Sequence, residues 1–335
     1  MAANSKSSVV IGVTANGIIT VAKLIGAVAS GSSALFSEAV HSFADTGNQS
    51  LLLVGLAKST RKADEKHPYG YARERFFWGL VSALGIFFLG AGVTLYHGIT
   101  GLFHPHEVQY SWLTWAVLAF SLVLESYAGW AALRGVMRDA KTAGVPFKRY
   151  LKEGRDPTIT AVLLEDAAAV VGVLIAIVTM GLSQLTGIVA FDSVGSILVG
   201  LLLAVVALVL VRQNRVFLTI RAVDSELSEK LKAVIQGHDT VEQLANFRAV
   251  MLGVDSFHLA ADVDFDGRKI AAQILTEEDL AAVKARLGDD EALRAWIGEF
   301  SERVLQRIAE EVDTLEGKVR DASNLAAVVH LESNG

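Results

Sequence analysis

The sequence contains no cysteine, which excludes disulfides, thiolate metal sites and cysteine nucleophiles together. It has no GxxxxGKS or GxxxxGKT loop and no attached nucleotide domain, which argues against ATP-driven pumping. HExxH is also missing, so an intramembrane metalloprotease has no metal-plus-base arrangement to work with, and the chain is not read as an enzyme. The soluble portion is acidic and lacks a basic aromatic surface, which removes nucleic acid as a partner. No small-residue cleavage signature follows the first apolar segment, which holds Asn16 and Lys23 and reads as an anchor rather than a signal peptide.

What the chain has instead is apolar length. Hydrophobic residues make up 52% and charged residues 20%, with a mean hydropathy of +0.42. Nearly uncharged stretches fill 8–211, while charge is dense over 224–321, so the net charge of -6 hides a membrane half and an acidic soluble tail. A helix needs about 20 residues to cross the hydrocarbon. Six stretches meet that length: 8–30, 34–57, 77–99, 111–133, 158–181 and 190–211.

Loop charge orients them. The second-to-third connection carries Lys58, Arg61, Lys62, Lys66, Arg73 and Arg75, and the fourth-to-fifth carries Arg134, Arg138, Lys141, Lys148, Arg149, Lys152 and Arg155. The alternate loops at 31–33, 100–110 and 182–189 have neither Lys nor Arg. This bias places both termini in the cytoplasm of a multi-pass protein, in the inner membrane if the cell is bacterial. Trp112 and Trp115 suit the outer interface, and Gly90, Gly92, Gly195 and Gly200 offer surfaces for close helix packing.

The expected architecture is a six-helix transmembrane bundle over 1–221 with a C-terminal cytoplasmic α+β domain over 222–335. In the tail, 225–237 predicts a helix, and 244–252 and 256–265 predict strands, the second ending in turn residues Asp266 and Gly267. Thr276 reads as the N-cap of a helix entered through Glu277, Glu278 and Asp279. A further helix is expected over 291–315 and a last strand over 325–331, with no strand order legible.

Ionisable residues inside a span are costly unless they face protein, water or a counter-charge, and so mark function. Glu38, His41 and Asp45 lie three and four residues apart, near one helical face, with Asn48 and Gln49 just beyond. Glu165 and Asp166 are neighbours in the fifth stretch and point about 100° apart. His41, Asp45 and Asp166 are expected to share a metal site, with Glu165 and Glu38 as further ligands or proton-handling groups. Mixed nitrogen and oxygen ligation suits zinc and also accepts cobalt, nickel or ferrous iron, whereas oxygen alone would favour manganese or magnesium. Ligands that bind metal deprotonated and release it protonated can exchange protons for ions. Glu125 is read as a relay or a counter-charge for Lys23, Asp192 as opening the sixth stretch, and His97, His104 and His106 as surface histidines. In the tail, His258 and Asp262 on one strand and His330 and Glu332 on another would form a second metal site if those strands are neighbours. A nontransporting membrane sensor or scaffold is the competing class.

These residues carry a resemblance. GSSALFSEAVHSFADTGNQ at 31–49, HPYGYARERFFW at 67–78, FDSVGSILVG at 191–200 and the acidic α+β tail resemble the cation diffusion facilitators, over essentially the whole chain. The stretch DPTITAVLLEDAAAVVG at 156–172 is most similar to the subgroup containing a mitochondrial and nuclear-associated human zinc transporter. The resemblance implies a proton-coupled homodimeric zinc exporter with the ion held between spans two and five. His41 and Asp45 fall on the span-two pair and Asp166 on the second position of span five; the first falls on Val162, which cannot ligate, leaving Glu165, Glu38 or water to complete the shell. It also implies metal in the cytoplasmic domain, near Asp262, His330 and Glu332, while a His-rich loop between spans four and five is absent.

Overall fold

A computed structural model describes the chain except residues 1, 106, 107, 143, 145, 149, 151–156, 277–279, 334 and 335; the side chains of 2–15, 157–160 and 286 are likewise outside the description. His106 and the acidic run 277–279 therefore lie outside the described residues. The chain divides into two compact units, Met1–Thr219 and Ile220–Gly335.

Among the described residues the first unit has six long helices: α1 Ala2–Ser30, α2 Ser33–Ser59, α3 Glu74–Phe103, α4 Trp112–Thr142, α5 Pro157–Thr186 and α6 Ala190–Leu218. Among the described residues, α3, α4, α5 and α6 are long and apolar enough to cross a membrane. The described side chains of α1 make only a short apolar stretch, Asn16–Ser30, and α2 is interrupted by Glu38, His41 and Asp45. Val28, Phe103, Trp112 and Leu185 are more than three-quarters exposed, at 78, 77, 80 and 87%. Large apolar groups turned outward in that way fit a lipid solvent. This unit is a multi-helix, membrane-embedded region.

Helix packing divides the bundle. α1 lies against α2 and α4, and α5 lies against α2 and α4, which closes a ring of four. Ala27, Ala34, Leu35, Leu118, Val173, Ala176 and Met180 fill one end of it. α3 and α6 pack on each other and on α2, around Ala83, Ile86, Val199, Leu203 and Ala207. Ile86–Gly92 of α3 is a π-helical turn. α3 and α6 touch at glycine: a Cβ on Gly98 would stand 2.9 Å from the Ile197 backbone nitrogen and the Ser196 Oγ. Small residues of this kind let helix backbones approach where no hydrophobic effect drives them together.

The second unit is the α+β domain: α7 Ser225–Gln236, β1 Val241–Met251, β2 Ser256–Phe265, α8 Gly267–Thr276, α9 Leu280–Arg286, α10 Asp290–Asp321 and β3 Ala326–Ser333. The sheet order is β1-β2-β3, with β1 and β2 an antiparallel hairpin and β3 parallel to β2. A parallel return requires a crossover, which α8, α9 and α10 supply. On β2, Phe257, Leu259, Ala261 and Val263 alternate into a core with Leu231, Ile235, Leu315, Val319 and Val329. The opposite face of the same strand carries His258, Ala260, Asp262 and Asp264.

The structure departs from the local expectations at three points. Asp266 and Gly267 do more than turn the chain: the Asp266 carboxylate accepts hydrogen bonds from the Arg268 and Lys269 backbone N–H groups and so caps α8. Thr276 is consequently the last residue of α8 rather than an N-cap, and its hydroxyl donates back to the Ala272 carbonyl. The helix expected after Glu277, Glu278 and Asp279 begins at Leu280 as α9, its entry lying outside the described residues. Asp289 accepts from Ala292 N and caps α10, which runs to Asp321, beyond the expected end at 315.

The glycine contact yields a test. Gly98→Leu forces bulk into the α3–α6 contact and is expected to cost about 1–3 kcal/mol, read as a lowered thermal midpoint of the full chain in detergent by tryptophan fluorescence; an unchanged midpoint would refute that packing.

Candidate metal centre

The ring of α1, α2, α4 and α5 has a charged interior. Lys23 of α1 is fully buried, its Nζ 2.9 Å from Glu38 Oε2 on α2 and 2.6 Å from Glu125 Oε1 on α4. Of the two readings left open for Glu125, relay or counter-charge, the contact fits the counter-charge, with Glu38 as a third member. Gly172 of α5 makes room for Glu38: a Cβ there would stand 2.5 Å from Oε1.

One helical turn along α2, His41 is buried and neither ring nitrogen has a hydrogen-bond partner. Its Nε2 lies 3.5 Å from Asp45 Oδ2, and the other Asp45 oxygen is also buried without a partner. Four residues apart on one helix, the two side chains meet as their spacing requires. Across the ring, Asp166 and Glu165 of α5 lie within electrostatic reach of Asp45, and Asp166 also of Glu125. Asp166 sits against Gly129 of α4, whose missing side chain leaves it space. Val162, one turn before Asp166, presents only carbon and is half-buried.

Of the five predicted residues, His41 and Asp45 are adjacent, Asp166 and Glu165 face them from α5, and Glu38 is engaged by Lys23. Among the described residues no three His, Asp or Glu side chains close on one metal position. Two of the candidate carboxylates, Glu38 and Glu165, are engaged by other groups. Glu165 accepts a hydrogen bond from Asn48 Nδ2, and Asn48 Oδ1 in turn accepts from Ser82 Oγ of α3. That chain engages one Glu165 carboxylate oxygen and leaves the other, Oε1, unpartnered.

Sequence reasoning missed this Asn48–Ser82 tether, although Asn48 follows Asp45 by three residues and so shares its face. It also missed the work of Asp192. At the start of α6, Asp192 Oδ1 accepts from Ser32 Oγ at 2.6 Å, and Oδ2 from Ser33 N at 2.5 Å and Ala34 N at 3.4 Å. These are the unsatisfied amides of the α2 N-terminus, which favour an anion. Ser37, one turn on, bonds the Ser196 hydroxyl of α6 at 2.5 Å. His97 packs on Phe36 at 4.4 Å between ring centres, the rings tilted by 40°, and His104 is exposed.

On the sheet of the second unit, the strands bearing the other predicted residues are neighbours. Ala260 pairs with His330 and Asp262 with Glu332. A cavity of about 270 Å³ is lined by Asn246, Arg248, Ala260, Ala261, Asp262, His330 and Glu332. Asn246 Nδ2 donates to Asp262 Oδ2 at 2.5 Å from a bulge in β1, where Asn246 holds φ +48°. His258 stands 5.7 Å from His330, ring centre to ring centre. Burial, and then the nearby His330, push the His258 imidazole below its ordinary value of 6.5.

A membrane-embedded helical unit with a buried, mostly acidic interior, joined to a small α+β domain, is the build of a membrane protein that handles cations. The chain matches the family model of the Cation efflux transmembrane domain over residues 9–219. It belongs to that family, whose members transport rather than catalyse, as the sequence resemblance implied. It is 36% identical over 327 residues to a mouse protein named proton-coupled zinc antiporter SLC30A9, mitochondrial, covering 97% of this chain and 58% of that one. It is 35% identical over 298 residues to metal tolerance protein C4 of Arabidopsis thaliana, covering 87% and 65%. With the manganese efflux system protein MneP of Bacillus subtilis it shares 24% identity over 306 residues, 89% and 97% of the two chains. The chain thus spans less than two thirds of the mouse and plant relatives.

The sheet histidine predicts a pH response. Folding disfavours the protonated form of His258, so between its folded value and 6.5 the unfolded chain binds more protons, and stability falls as pH drops below about 6.5. In chelator, the fall in thermal midpoint between pH 7.5 and 5.5 is expected to shrink in His258→Gln; an identical fall would remove His258 from the response.

Proposed function

We propose that this protein is a proton-coupled divalent-cation antiporter that exports zinc from the cytoplasm. The observation that carries the reading is His41: a buried imidazole with both nitrogens unpartnered, 3.5 Å from an Asp45 carboxylate that is itself half-satisfied. Buried polar groups are as a rule hydrogen-bonded, and a nitrogen and an oxygen left open together are a ligand pair for a borderline divalent ion. Asp166 supplies the third donor from α5. Val162 cannot supply a fourth, so Glu165, released from Asn48, or water completes the shell. Glu38 serves Lys23 rather than the metal.

The ion enters when these groups are deprotonated and leaves when protons replace it, which couples the two fluxes. All six helices of the first unit span the bilayer in this reading, both termini being cytoplasmic. α2 crosses in spite of its charges because Lys23 pairs with Glu38 and His41 lies beside Asp45. Residues 1–221 form the transmembrane domain and 222–335 a cytoplasmic domain that joins two copies into a homodimer. Metal bound by Asp262, His330 and Glu332 on its sheet would report the cytoplasmic metal level to the transporter.

A second reading has its own support. With one imidazole among several carboxylates, the shell is oxygen-rich and tolerates manganese, iron, cobalt or nickel, and one relative is named for manganese efflux. Liposomes holding the purified chain and a pH dye, tested with zinc, iron, cobalt, nickel and manganese, decide between them. Zinc flux with counter-moving protons, reduced at least about tenfold in Asp45→Ala and Asp166→Ala, is the expected result. Preference for another ion would reassign the cargo, and folded protein moving no metal under a proton gradient would point to a membrane sensor or scaffold.

A further inference from the structure

The Lys23–Glu38–Glu125 cluster is the part of the buried interior that transport through His41, Asp45 and Asp166 leaves unused. Three helices contribute one residue each, and the ammonium stands between two carboxylates at 2.9 and 2.6 Å. Each carboxylate keeps a second oxygen, Glu38 Oε1 and Glu125 Oε2, that is buried and without a partner. Glu38 is wholly buried, and so is Lys23. Two unpartnered oxygens from different helices, in addition to the two that hold the ammonium, are more acceptor capacity than one lysine consumes.

Divalent ions hold carboxylate oxygens at about 2.0–2.6 Å. The oxygens around Lys23 Nζ are therefore set only slightly too wide for such an ion. Two ionised carboxylates left together in a buried site would repel and bear a large desolvation cost, so the position demands a cation of some kind.

We infer that Glu38 and Glu125 form a second divalent-cation position, which the Lys23 ammonium occupies as a tethered ion. Lys23 thereby limits the membrane unit to one divalent ion, at the His41–Asp45 pair, where its carboxylates would otherwise hold two. The inference rests on the proposed transport site only for that first ion. A methionine is the informative replacement, because its chain ends one atom short of the lysine nitrogen and leaves the space between the carboxylates open.

The test is equilibrium binding of cadmium to the full chain in detergent, counted as ions per chain, with thermal midpoints in chelator and in cadmium. Lys23→Met is expected to bind one ion more than the parent, to unfold at lower temperature in chelator, and to recover in cadmium. Lys23→Arg retains a cation and is expected to bind no extra ion. In an Asp45→Ala background the extra ion of Lys23→Met should persist; if the parent loses no ion on Asp45→Ala while the increment remains, the transport site fails and this inference stands. A folded Lys23→Met with the parent's ion count, or one that stays unfolded at every cadmium concentration, overturns it.

Discussion

A charge inside a bilayer must meet another charge, and the Lys23 ammonium between Glu38 and Glu125 is where this chain satisfies that demand most completely. Placing one lysine or aspartate at the centre of a spanning helix costs about 2.5–3.5 kcal/mol on insertion scales. The triad brings opposite charges from α1, α2 and α4 into direct contact and so ties three of the four ring helices together. α2 can then carry Glu38, His41 and Asp45 in succession without leaving the bundle. The remaining ring helix, α5, is joined through the Glu165–Asn48–Ser82 chain, which also reaches α3.

The same logic operates at the end of α2. Its N-terminal amides have no partners within the helix, and Asp192 of α6 provides them. α2 is thus fixed at its start by an anion from α6 and along its length by a cation from α1. His41 and Asp45 lie on the segment between those anchors and an Asn48 held from α3. Rigid support of that kind is what keeps two open ligands at 3.5 Å rather than letting each find a hydrogen bond of its own.

Much of this was legible in the sequence because its signals are local. The i, i+4 spacing of His41 and Asp45 fixes their meeting on any helix, and the period-two alternation of β2 fixes which residues share a sheet face. Lys23 and Glu125 stand out as charges in apolar stretches, but the sequence left Glu125 open between a relay and a counter-charge. What was not legible depends on contacts distant in sequence: the Asp192 cap on α2, the Asn48–Ser82 tether and the parallel placement of β3. The misread at Thr276 has a different cause. Asp266-Gly267 is an ordinary turn signal, and only the backbone N–H groups of Arg268 and Lys269 reveal it as a helix cap. α2 escapes a simple apolarity test for the same reason that it matters, since its hydrophobic run is broken by the residues of the site.

The central claim is that the transported ion sits on the His41–Asp45 pair inside the four-helix ring. Anomalous diffraction at the zinc edge, from crystals of zinc-loaded full-length chain, tests it most directly. The account predicts a peak within bonding distance of a His41 ring nitrogen and an Asp45 oxygen, with Asp166 drawn toward it. Zinc confined to the sheet around Asp262, His330 and Glu332, with none in the ring, would contradict it.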